Sequence, residues 1–151
     1  DVDRFWPVLQ TTIERGDPAN WGRHVLHERL SGVAPDLLMG MVLDDEVVPE
    51  ATNVILARAL GIPHVPPVLR PIELLEVASA PPIQGNLNGT TAGLLQFDFI
   101  VRDGERRPAE HDNIGAAEVG AHAWLRFVEG WLEQGHGVIV NPYDDLGLAR
   151  D

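Results

Sequence analysis

Two short stretches of the chain carry side chains that could move protons. The first is Asp44-Asp45-Glu46, which ends the uncharged run Leu37-Leu38-Met39-Gly40-Met41-Val42-Leu43. Open α/β sheets gather their functional groups outside the carboxyl ends of the strands, so a carboxylate at that point is well placed for catalysis. The second is Glu110-His111-Asp112-Asn113, a polar loop between an apolar run and an amphipathic one. Imidazole is the side chain best suited to give and take protons near neutrality, and a loop leaves it free to face a site. Each stretch also has an ordinary alternative. An acidic cluster at a helix start offsets the helix macrodipole, and loop histidines commonly serve as surface or capping residues. The two together, each at a strand end, say more than either alone.

The elements that must position these residues can be read from periodicity. The uncharged run at 37–43 suits a strand covered on both faces. The spacing of Ala51, Val54, Ile55 and Ala59 predicts a helix over 50–60, stopped by Gly61-Ile62-Pro63. Strand, turn and helix make the front half of a βαβ unit. A second apolar run over 94–101, interrupted by Gln96 and Asp98, predicts another strand, followed by a turn at 102–105. From 113 to 134, Ile114, Ala117, Ala121, Trp124, Leu125, Val128 and Leu132 form one helical stripe closed by Gly135. Upstream, Val2, Phe5, Trp6, Leu9 and Ile13 predict a helix over 2–15, and Asp17-Pro18 starts another reaching about residue 27. Trp6, Trp21, Trp124 and Trp131 fall mainly in these helices and read as core-packing residues. Between the two strands, 62–93 holds six of the twelve prolines, at 63, 66, 67, 71, 81 and 82, and reads as an insertion or an irregular excursion. Val138-Ile139-Val140 reads as an edge strand or a packed tail.

Composition narrows the function. With 151 residues, 44% apolar and 23% charged, the chain is expected to form one globular unit. A net charge of −12 without a single lysine argues against nucleic acid and anionic lipid as partners. No apolar run approaches the roughly 18–20 residues of a membrane span, so no transmembrane segment is expected. The start, Asp1-Val2-Asp3-Arg4, lacks the basic then apolar layout of a signal peptide. The lack of cysteine excludes disulfides, thiolate metal sites and cysteine nucleophiles together. Nothing in the sequence asks for a cofactor.

The residues Met39-Gly40-Met41-Val42-Leu43-Asp44-Asp45-Glu46-Val47-Val48-Pro49 and Glu110-His111-Asp112 resemble the α/β-hydrolase family, whose chain order is nucleophile, acid, histidine. The resemblance covers about residues 37–134. It implies an α/β fold that is the C-terminal part of a hydrolase domain: a short parallel sheet flanked by helices, with a proline-rich insertion and one sheet edge open. It selects Asp45 rather than Asp44 as the acid and His111 as the general base, in an enzyme acting on carboxylic esters or lipids. It also demands a serine in Gly-x-Ser-x-Gly. The chain's two serines, in Leu30-Ser31-Gly32 and Ala78-Ser79-Ala80, lack the flanking glycines. Thr91, in Gly89-Thr90-Thr91-Ala92-Gly93, precedes a strand instead of following one. The whole of 1–151 therefore reads as one C-terminal segment, partnered by an upstream part of the same protein that carries the nucleophile, and silent by itself.

Two rivals come from other classes. One is a binding or assembly module without chemistry, with 62–93 as its contact surface. The other is a metal site, formed by Asp44, Glu46, His111 and Asp112, or by His24 and His27 beside Glu28.

Overall fold

The computed structural model describes residues 5–148, a mixed α/β arrangement of helices, one parallel strand pair and one antiparallel pair. The parallel pair joins β1 (Leu37–Val42) to β2 (Ala92–Phe97), in a register that sets Leu37 beside Ala92 and Val42 beside Phe97. The antiparallel pair is a hairpin of β3 (Phe99–Arg102) and β4 (Glu105–Pro108). Its turn runs through Asp103 and Gly104, at φ 56° and 79°. Two successive positive φ values match the twist of a tight hairpin. The apolar run expected as one strand over 94–101 is thus two strands. It breaks at Asp98, where the chain leaves the parallel sheet for the hairpin; β4, Glu105-Arg106-Arg107-Pro108, is exposed throughout and carries no apolar alternation that would mark a strand.

Alternation along β1 sorts the core. Met39, Met41 and Leu43 face one side, against helix α4 (Glu50–Leu60) through Ala57 and Leu60 and against Leu94 of β2. Leu38 and Val42 face the other, where Leu95 and Phe97 meet Val119 and Ala123 of helix α5 (Glu118–Gln134). Each fully buried side chain of the size of Leu94 or Phe97 contributes about 1.5–3 kcal/mol. At Gly40 an added Cβ would lie 3.1 Å from the Trp124 ring and 3.2 Å from Phe97, so glycine is what lets the indole lie across the strand.

The helices at the N-terminal end are shorter than their periodicity predicts. Helix α1 spans Trp6–Ile13 and buries none of its residues, and a 3-10 turn at Glu14–Gly16 follows. Residues 2–4 of the expected helix lie outside the described residues. The second expected helix divides into α2 (Pro18–Trp21) and α3 (Arg23–Leu26) at Gly22, where a Cβ would come within 2.7 Å of the Ala59 backbone. That close approach to α4 fixes the break.

The expected core role of the tryptophans fails for Trp6, Trp21 and Trp131, while Trp124, half-buried, packs across β1 at Gly40. Trp6, Trp21, Trp124 and Trp131 are 59%, 50%, 36% and 57% exposed. In α5 the reason is direct: the helix buries its small face, Val119, Gly120, Ala123 and Gly130, and turns the larger stripe of Leu125, Val128, Trp131 and Leu132 outward. The helix also starts later than residue 113, because the Asn113 side chain accepts from the Glu110 N–H and donates to the Pro108 carbonyl, holding a separate turn.

The 62–93 segment is irregular as expected, yet it is part of the core. Ile62, His64, Val65, Ile72 and Ile83 are buried. Val65 N–H bonds to Leu94 O at 2.9 Å and Leu94 N–H to Pro63 O at 2.9 Å, so β2 is paired along both edges. Ile139 exchanges backbone bonds with Ile83, which makes 138–140 a packed tail. The outer edge of β1, carrying the backbone groups of Leu38, Gly40 and Val42, has no strand partner among the described residues. A short helix, α6 (Pro142–Asp145), buries Tyr143, whose hydroxyl donates to Phe99 O at 2.7 Å. No helix among the described residues is long and apolar enough to cross a membrane.

Candidate active site

Asp45 stands in the turn between β1 and α4, and its two carboxylate oxygens have different duties. Oδ1 accepts the N–H groups of Val47 at 2.8 Å and Val48 at 2.9 Å, an arrangement that ties the carboxylate to its own turn. Oδ2 lies 3.1 Å from His111 Nδ1, across 66 residues of sequence. The Asp45 side chain is 5% exposed, whereas that of His111 is 48% exposed. Foremost the Val48 N–H, then those of Val47 and His111, hold the Asp45 carboxyl below its ordinary range, against the opposing effect of burial. An ionised Asp45 fixes the proton of neutral His111 on Nδ1 and leaves Nε2 as a free acceptor.

His111 is carried by the loop after β4. Ala109 N–H bonds to Asp98 O at 3.0 Å, and Ile114 N–H to Glu110 O at 3.1 Å, so both sides of the loop are anchored. The pair opens into a cleft of about 600 Å³ between the acid turn and this loop. Asp44, Asp45, Glu46, Asp98, Glu110 and Asp112 line it, together with apolar Leu43, Val47 and Ala109. Among the described residues, no hydroxyl or thiol does.

Two other histidines approach a carboxylate in different terms. His122 meets Asp145 at 3.1 Å through Nε2, and that carboxylate is 40% exposed. His136 Nδ1 is 3.7 Å from Asp36 Oδ2, which already accepts the Gly137 N–H at 2.6 Å. Only His111, among the described residues, combines an Nδ1 within 3.1 Å of a carboxylate, a carboxylate anchored by backbone and a place in the lining of this cleft.

The remaining candidates are engaged elsewhere. Thr91 is fully buried, and its hydroxyl accepts the Gly85 N–H at 2.9 Å. Ser31 and Ser79 are exposed, and neither bonds to His111 among the described residues. His24 Nδ1 contacts Glu28 O at 2.6 Å and His27 Nε2 contacts Leu60 O at 3.0 Å, which takes a ring nitrogen of each for the backbone. Asp44 is bound to Arg70 rather than to Asp112 or Glu46. No group of three or more His, Cys, Asp or Glu side chains among the described residues could hold a metal.

Three residues that shape the site escape a reading by periodicity. Arg70 lies in the proline-rich segment and grips the acid turn from outside. Gln96, visible only as an interruption of an apolar run, fixes Arg70 from below. Asp36, just ahead of β1, accepts Thr91 N–H through Oδ1 at 2.7 Å and Gly137 N–H through Oδ2, tying the start of the sheet to the end of α5. Compared with family models, with curated proteins and with solved structures, the chain has no match.

Proposed function

We propose that Asp45 and His111 are the acid and the base of a serine hydrolase whose nucleophile lies outside this chain. The observation that carries this reading is the 3.1 Å bond between Asp45 Oδ2 and His111 Nδ1 beside a cleft without a hydroxyl. Its chemistry is ester hydrolysis. The incoming serine oxygen attacks the ester carbonyl while its proton passes to His111 Nε2; His111 then protonates the departing alcohol, and water releases the acyl group by the same route. Asp45 keeps the imidazole oriented and stabilises the imidazolium that forms.

The resemblance to the hydrolase family names carboxylic esters or lipids as substrates. The six carboxylates lining the cleft favour an uncharged scissile region over an anionic one. The nucleophile would arrive on an upstream part of the same protein, and the unpaired edge of β1 offers that part a strand to join.

A serine-directed fluorophosphonate tests the proposal on the longer protein and on this chain alone. Labelling of the longer protein only, lost on His111→Ala, is the expected result; labelling of this chain alone would overturn it. A second reading, a binding or assembly module, draws support from the outward apolar stripe of α5, with Leu125 at 60% and Leu132 at 70% exposure. It expects Asp45→Asn and His111→Ala to leave function intact.

A further inference from the structure

The acid turn is held closed from outside by one guanidinium, and that guanidinium is seated on the sheet. Arg70 presents a fork to Asp44, with Nη1 to Oδ1 at 3.0 Å and Nη2 to Oδ2 at 3.1 Å. Its Nη1 also bonds to Glu50 Oε2. Asp44 is the residue before the acid, and Glu50 opens α4, so Arg70 links the two ends of the loop that carries Asp45, Val47 and Val48. Asp44 adopts a left-handed conformation, at φ 59°, unusual for a non-glycine residue. This bend lets neighbouring carboxylates diverge, Asp44 outward to Arg70 and Asp45 inward to His111.

Arg70 is itself fixed. Gln96 sits on β2 opposite Met41 and is 4% exposed. Its Oε1 accepts the N–H groups of Leu69 at 2.9 Å and Arg70 at 3.0 Å, and its Nε2 donates to Arg70 O at 2.7 Å. One buried amide therefore satisfies both backbone groups of Arg70. From β2 through Gln96 to Arg70, and from there to Asp44 and Glu50, every step is a direct hydrogen bond.

We propose that Arg70, delivered by the 62–93 segment and seated on Gln96, is the positioning residue that holds the acid turn so that Asp45 meets His111 Nδ1. The inference rests on the hydrolase reading only in the use made of the pair; the strut itself is geometry. It gives the proline-rich segment a task, which is to bring a bidentate cation to a loop rich in carboxylates. Arginine suits this task because a planar fork fixes direction as well as charge, which an ammonium does not.

The His111 tautomer reports on the strut without any substrate. Side-chain 15N NMR on this chain, at a pH where His111 is neutral, would be compared across Arg70→Ala, Arg70→Lys, Asp44→Asn and Asp45→Asn. Asp44 is 80% exposed, so Asp44→Asn weakens the fork with little risk to folding. In the unsubstituted chain the Nδ1–H tautomer is expected to dominate. With a strut, Arg70→Ala and Asp44→Asn reduce it to a minor form, and Arg70→Lys retains an intermediate share. An unchanged tautomer in both Arg70→Ala and Asp44→Asn, where Asp45→Asn still disturbs it, overturns the strut and leaves the Asp45–His111 pair standing. A tautomer indifferent even to Asp45→Asn overturns the pair and the strut with it.

Discussion

Asp45 Oδ2 lies 3.1 Å from His111 Nδ1, while the other oxygen of the same carboxylate is occupied by two backbone N–H groups. The division matters because a carboxylate bound by its own turn can neither rotate away nor follow the histidine. Only the imidazole is then free to move, and His111 lines the cleft.

On the proposed hydrolase reading, Asp45→Asn in the longer protein is expected to lower kcat by about 10⁴-fold, the cost seen where a triad acid loses its charge and misdirects the histidine tautomer. His111→Ala is expected to do at least as much harm, and the two together little more than either alone, because the members act as a unit. Hydrolysis of an uncharged ester checks all three. Additive losses would count against a shared mechanism.

Stability should fall below neutral pH for a reason remote from the site. His64 is 1% exposed, its Nε2 accepts the Ile72 N–H at 3.0 Å, and its Nδ1 has no partner among the described residues. Burial pushes its pKa below the ordinary value of 6.5. A depressed value means that the unfolded chain takes up the proton first. The stabilisation is therefore complete above about pH 6.5 and is lost as the pH falls from there toward the folded-state value. Urea unfolding followed from pH 8 to pH 5 should show this slope, and His64→Leu should flatten it. The same variant should cost about 1–3 kcal/mol at pH 8, where the Ile72 N–H is left unpaired.

Asp36→Ala should destabilise the fold by about 1–3 kcal/mol, since it strands the N–H groups of Thr91 and Gly137. Asp36→Asn keeps an acceptor oxygen and should cost less. Thermal unfolding separates the two variants, and an Asp36→Ala midpoint equal to that of the unsubstituted chain would show that the bridge contributes nothing.

The outward stripe of α5 should behave as a surface that awaits cover. Leu125→Lys and Leu132→Lys are expected to change stability by no more than about 0.5 kcal/mol, as replacements at exposed sites do. Mixed with the proposed nucleophile-bearing part, the doubly substituted chain should associate more weakly than the unsubstituted one, measured by sedimentation. Undiminished association would mean that the stripe lies outside the contact.

Part of this arrangement was legible from residues alone. The uncharged run at 37–43, the carboxylates at its end and the break at Gly61 are local signals, since burial on both faces forbids charge and a left-handed residue ends a helix. So the acid turn and the helix after it could be placed before any coordinates. His111 could be nominated by its position after a strand, although nothing in its own neighbours distinguishes it from His122 or His136.

What the tertiary structure alone decided is which groups meet. Nδ1 rather than Nε2 of His111 faces Asp45, because the hairpin inserted after Asp98 sets where the loop returns. The burial of α5 follows its small face and not its apolar one, because Gly120 and Gly130 permit approaches that a Cβ would block. Arg70 reaches Asp44 and Glu50 only because Gln96, on a strand 26 residues later, holds its backbone. Periodicity reports the environment of a side chain along its own element. It carries no record of a partner brought from elsewhere by the packing of the whole, and the sequence is for that reason clear about the acid turn and mute about the strut that closes it.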